Sequence, residues 1–181
     1  MRVVGGAVIV DGLTVFLSIA IAVSVILTVL SSVGYLRRER LDGPEAYVLL
    51  LLSAAGGMIM CGANDLLVLF LGIEILSLAV YVLAGIHVRR ARSGEAAFKY
   101  FLLGGVASAF LLYGIAFTYG ATGTTNLVGI ASFLSHNLLE NNVMLLAGMG
   151  LLLVGLGFKV AAVPFHSWSP DVYDGSPSPV V

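Results

Sequence analysis

The chain has 181 residues, of which 59% are hydrophobic and 10% charged, with a mean hydropathy of +1.04. Soluble domains carry charge on about a quarter of their residues, so ordinary globular folding in water is excluded. The near balance of 9 Lys and Arg against 10 Asp and Glu leaves a formal net charge of −1 and points to no nucleic acid and no acidic surface as a partner.

The apolar residues fall in runs of roughly 20, the length a helix needs to cross a bilayer. The expected fold is all-α and integral to the membrane, with five spanning helices in one transmembrane domain over residues 1–181. The first, at about residues 13–36, is too long for a signal-peptide core and leads into no soluble domain, so it is read as a retained helix. "DGPE" at 42–45 then offers a turn, a proline and an acid for the first turn of a second helix at about 45–62. Asn64 and Asp65 can cap a third at about 65–86, which makes the second and third a tight hairpin. The fourth is expected at about 96–120 and the fifth at about 143–163, with a broken-helix extension to 181. Cys61 stands alone in an apolar segment and reads as small core filler.

Arginine placement supports five spans. Arg37, Arg38 and Arg40 follow the first helix, and Arg89, Arg90 and Arg92 follow the third. The loops on the opposite side contain neither Lys nor Arg. Basic residues in short loops collect on the cytoplasmic side, so loops 37–40 and 89–92 are expected there and the N-terminus outside.

Glu74, Lys99 and Lys159 fall inside the spans. At a helix centre each would cost about 2.5 to 3.5 kcal/mol, so each asks for a partner or a use. Glu74 lies nine residues past Asp65, about 14 Å into the membrane. It is either a structural acid bonded to a neighbouring helix or a charge-transfer group. Lys99 is placed three residues into its helix, where it either extends to the interface or pairs with Glu74. Lys159, in "GFKVAAVPFHSW", lies about 24 Å along its helix. Pro164 lacks the amide that would bond the Val160 carbonyl, so it is expected to break this helix beside the ammonium. Irregular backbone at membrane depth survives where protein or water satisfies it, and broken helices mark ion sites. Lys159 is therefore a proton-site candidate, with extension toward the cytoplasm as the alternative.

Of the residues after the break, His166 is either a proton relay, because its charge changes near neutrality, or a satisfied interfacial histidine. Trp168 and Tyr173 fit an interfacial belt, and Ser169 to Asp171 a helix cap. Tyr81, Tyr100 and Tyr113 read as packing groups and His87 as solvated. Small residues over 104–109 and 148–157 would let the fourth and fifth helices pack closely against their neighbours, a device common to helical membrane proteins. The sequence holds no CxxC cluster, no Walker loop and no haem-spaced histidine pair, so no cofactor, metal or redox centre is expected; within an enzyme this chain would move ions.

The stretches "NDLLVLFLGIEILSLAVYVLAG", "AAFKYFLLGGVASAFLLYGIAFTYGATGTTNL" and "GFKVAAVPFHSWSPDVYDGSPSPV" resemble the antiporter-like membrane subunit N (subunit 2) of respiratory complex I, the proton-translocating NADH:quinone oxidoreductase. The resemblance runs from about Asp11 to the end. It implies a fold of two inverted repeats, each with a broken helix, of which these five helices form the first. It also implies that Glu74, Lys99 and Lys159 carry proton translocation, coupled to quinone reduction elsewhere. By the same resemblance NADH, FMN, iron–sulfur clusters and quinone belong to other subunits. The implied partners are other membrane-arm subunits, including adjacent antiporter-like ones, within the lipid bilayer of the cell's inner (plasma) membrane. The family pattern continues past both ends of this chain, which is expected to be a truncated gene model or a fragment. Two alternatives stay open: a subunit of a multisubunit Na⁺/H⁺ antiporter or membrane-bound hydrogenase, and a non-pumping structural spacer.

Overall fold

A computed structural model describes residues 1–41, 43–137 and 142–179. Among the described residues four helices are long and apolar enough to cross a membrane: α1 (Gly12–Glu39), α2 (Pro44–Cys61), α3 (Leu66–Ala84) and α4 (Ala91–Thr122). They are followed by α5 (Leu127–His136), α6 (Val143–Lys159) and α7 (Ser169–Gly175). A small hairpin of β1 (Arg2–Val3) and β2 (Val8–Ile9) precedes them.

Side-chain caps open most of the helices. The Asp11 carboxylate accepts the Thr14 amide at 2.8 Å, a bond that holds its carboxyl below the usual carboxylate range. Asp65, Asn126 and Asn142 accept from Leu67, Val128 and Leu145 in the same way. Pro44 occupies the first turn of α2, where its missing N–H has no intrahelical partner to lose. Two boundaries differ from the sequence reading. α4 begins at Ala91 rather than near 96, because the buried Ser93 hydroxyl bonds the Ala84 carbonyl at 2.6 Å and draws the first turn onto the end of α3. α6 stops at Lys159 after 17 residues, about 25 Å, four residues short of the expected end.

Successive helices pack side by side in the order α1, α2, α3, α4, α6, with α7 laid on α4. Glycines set the closest approaches. A Cβ on Gly56 would stand 2.7 Å from the Gly72 carbonyl, and one on Gly72 would stand 2.8 Å from the Met60 amide, so α2 and α3 touch backbone to backbone. Gly148 and Gly155 of α6 meet Thr118 and Leu111 of α4, while Gly114 of α4 meets Leu152. Gly148 and Gly155 therefore bring α6 close to a neighbouring helix, as their small size suggests, and Gly104 faces Tyr81 of α3. Leu66 and Ile73 of α3 join Leu111 and Ile115 of α4 in the core, against Leu152 and Leu156 of α6.

Each end of the bundle is stitched by polar contacts that the apolar pattern does not carry. At one end Asn64 and Asn126 both donate to the Gly6 carbonyl, Thr125 donates to Asp65 at 2.7 Å, and the β hairpin sits on the α2–α3 turn. At the other end Glu39 bonds His87 at 3.0 Å and Arg90 at 2.8 Å. His87 is therefore buried, not solvated as its arginine neighbours suggest, because the acid between Arg38 and Arg40 covers it.

Gly56→Ala forces the α2 and α3 backbones apart and should destabilise the chain by about 1 to 3 kcal/mol, the usual cost of overpacking. Gly150→Ala, with open space around its Cα, should cost nothing. Thermal unfolding in detergent checks the difference.

Candidate functional site

Glu74 sits in the middle of α3, and Ser77 and Tyr81 follow it on the same helix face, three and seven residues later. Lys159 is the last residue of α6. α4 lies between the two helices, and Phe158 packs on Ala107 halfway along α4, which puts the amine near mid-bundle depth.

The Lys159 ammonium donates to the Ser77 hydroxyl at 2.8 Å and to the Tyr81 hydroxyl at 3.0 Å. Its distance to Glu74 Oε1 is 3.6 Å, within ion-pair range but longer than a hydrogen bond. That carboxylate oxygen instead accepts the Ser108 hydroxyl at 2.5 Å. The side chains are 14% exposed for Lys159 and 23% for Glu74, so neither reaches bulk solvent freely. The amine lies 5.5 Å from the Tyr81 ring centroid, a reach that runs through the hydroxyl, so the contact is a hydrogen bond and not a cation over the ring face.

The backbone beside the amine explains why α6 ends there. Ala161 adopts a left-handed conformation with φ of 50°. Its amide bonds the Phe158 carbonyl at 3.0 Å, and the Ala162 amide bonds the Gly157 carbonyl at 2.8 Å. These two bonds are a Schellman motif, which closes the helix and satisfies carbonyls otherwise left open. The break therefore precedes Pro164, whose missing amide does not cause it; prolines commonly follow such a stop. The indole N–H of Trp168 adds a second donor to the Phe158 carbonyl at 3.3 Å. A cation at a helix C-terminus also lies at the negative end of the helix dipole.

The remaining sequence candidates lie elsewhere. Lys99 is eight residues inside α4, not three, yet its side chain is 42% exposed. It bonds Asp171 of α7 at 2.8 Å and Glu95 at 2.7 Å, so its partners are these acids and not Glu74. Arg92 reaches Asp174 at 3.2 Å in the same cluster. His166 is exposed on the segment between the break and α7, and its ring makes no hydrogen bond among the described residues. Trp168 is buried rather than interfacial, because Tyr100 stacks on it at 4.4 Å and 8°; Tyr173 remains 62% exposed. Trp168, not Ser169, is the N-cap of α7, and no side chain caps it.

Ser77, Tyr81 and Ser108 touch the ion pair although the sequence reading gave them no part in it. The first two carry a signal, their i+3 and i+7 spacing from Glu74 on a helix. Ser108 carries none, since its position depends on how α4 packs against α3. Among the described residues no group of three His, Cys, Asp or Glu side chains converges as a metal site requires.

Residues 63–181 match the family described as "NADH:quinone oxidoreductase/Mrp antiporter, TM". NADH-quinone oxidoreductase subunit N of Gemmatimonas aurantiaca is 54% identical over 144 residues, 80% of this chain and 28% of that protein. The subunit N of Trichlorobacter lovleyi is 45% identical over 174 residues, 96% of this chain and 36% of that protein. Among solved structures, respiratory complex I from Thermus thermophilus matches with a TM-score of 0.77 at 41% identity, covering 97% of this chain and 37% of that one. An archaeal membrane-bound sulfane sulfur reductase matches with a TM-score of 0.85 at 29% identity, covering 96% and 34%. The chain thus spans about a third of the length of the relatives it matches. With spanning helices, a helix stopped at a half-buried lysine and a family match over most of its residues, this multi-pass membrane chain belongs to the NADH:quinone oxidoreductase/Mrp antiporter transmembrane family.

Proposed function

We propose that this chain forms part of a proton-translocating membrane-arm subunit of an NADH:quinone oxidoreductase, with the Glu74–Lys159 pair as the protonation site. The observation that carries the reading is a largely covered lysine amine, its side chain 14% exposed, beside a helix end and 3.6 Å from a carboxylate on a facing helix. Two unit charges at that distance attract by roughly 4.6 kcal/mol at an effective dielectric of 20, and by about half as much at twice the distance. A change of about 2 kcal/mol alters the lysine's proton affinity about thirtyfold. A small displacement of α3 relative to α6 is therefore enough to load or unload the amine.

The relatives named NADH-quinone oxidoreductase subunit N, at 44 to 54% identity, favour this driving reaction. In this reading NADH, flavin, iron–sulfur clusters and quinone are bound by other subunits, and the partners are neighbouring membrane-arm subunits. The arginine-rich loops 37–40 and 89–92 lie in the cytoplasm and the N-terminus outside. A second reading, the same proton site serving a different membrane complex, draws support from the sulfane sulfur reductase match, whose fold agreement is high at lower identity.

Lys99 enters this reading as an anchor, since it joins α4 to α7 and stands apart from Glu74. His166, exposed and away from the pair, is a minor contributor at most.

Glu74→Gln keeps the shape of the side chain and removes its charge. In the assembled complex it should lower proton movement per NADH oxidised at least severalfold, measured as acidification of inverted membrane vesicles; unchanged pumping would favour a structural spacer. Lys159→Met should do the same. Lys99→Ala breaks exposed ion pairs worth about 1 kcal/mol or less, and should leave more than a third of the translocation. His166→Ala should stay within twofold of the parent in the same assay.

A further inference from the structure

Resting on that reading of the Glu74–Lys159 site, we infer that Ser77 and Tyr81 are the hydrogen-bond ligands of the proton-carrying amine in both of its charge states, with Glu74 acting on it through charge alone. An ammonium offers three N–H donors and no acceptor. Two of them are taken by neutral hydroxyls at 2.8 and 3.0 Å, whereas the carboxylate stands at 3.6 Å with its nearer oxygen occupied by Ser108.

The chemistry of the two ligand types differs when the proton leaves. A neutral amine has a lone pair that needs a donor, and an ionised carboxylate offers none. A hydroxyl does both: it accepts from the ammonium, then rotates to donate to the amine. The proton departs from Nζ to a water molecule, the electron pair stays on nitrogen, and both hydroxyls keep their own hydrogens. The amine is thus held in one place while its charge changes, so Glu74 meets it at a defined distance in each cycle.

The Tyr81 hydroxyl is fixed from several sides. The residue is 5% exposed. A Cβ on Gly104 would overlap the hydroxyl, so only glycine on the facing turn of α4 leaves it room. The ring packs edge-on against Tyr100 at 4.5 Å and 81°. Tyr100 in turn stacks on Trp168, whose indole N–H holds the Phe158 carbonyl next to Lys159. One aromatic row therefore supports both the hydroxyl and the end of the helix that carries the amine.

The test uses the assembled complex in inverted vesicles, with proton movement and NADH oxidation read on the same sample. Their ratio does not depend on how much complex assembles, so a folding defect alone leaves it unmoved. Tyr81→Phe and Ser77→Ala should each lower the ratio by about twofold or more, and the double variant should lose at least half of what Glu74→Gln loses. Ser77→Thr keeps a hydroxyl and should retain the parent ratio. Tyr113→Phe, on the exposed face of α4, should also retain it. If Tyr81→Phe and Ser77→Ala both keep the parent ratio while Glu74→Gln loses it, the inference is overturned and the proposed function stands. If Glu74→Gln keeps the ratio, both fall. The single variants carry the test should the double variant fail to assemble.

Discussion

An ammonium group at mid-bundle depth is the constraint around which this structure is arranged. An isolated charge there costs several kcal/mol, and the chain offsets it with four local features. Two hydroxyls take up N–H donors, a carboxylate neutralises the field, and the α6 terminus presents its negative dipole end. A Schellman motif then closes the helix without leaving its last carbonyls open to hydrocarbon. Each offsets part of that cost, whereas Lys99, on its own helix, stays 42% exposed and pairs with an acid of α7.

The glycines follow from that constraint. Hydroxyls and carboxylate belong to α3, the amine to α6, and α4 stands between them. They meet only because α4 packs tightly on both neighbours. Gly114, Gly148 and Gly155 bring α4 and α6 close, and Gly104 makes room for Tyr81. Small residues serve this purpose in membranes because dispersion contacts between backbones replace the hydrophobic drive that lipid removes.

The polar clusters at the bundle ends have a different character. The contacts of Glu39 with His87 and Arg90, and that of Lys99 with Asp171, join elements distant in sequence. Exposed members of such clusters contribute little stability individually. Their effect is positional: α7, held by Lys99 and Arg92, keeps Trp168 against Tyr100 and the Phe158 carbonyl.

Hydropathy and spacing alone were enough to establish a membrane chain, the approximate helices, the tight α2–α3 hairpin and the three charges that need compensation. These are one-dimensional properties, because a bilayer imposes helix length and charge cost residue by residue. The partners of those charges were decided by tertiary packing. Lys99 and Lys159 both fall within apolar spans of the sequence, yet one meets Asp171 of α7 and the other meets Glu74, a difference set by where α4 begins and how α6 stops. Pro164 marked a break in the right region, but the stop itself came from the left-handed Ala161 and two backbone bonds that no residue pattern announced. Ser108 reached Glu74 solely through the register of α4 on α3, which arises from glycine contacts spread over three helices and not from any local signal.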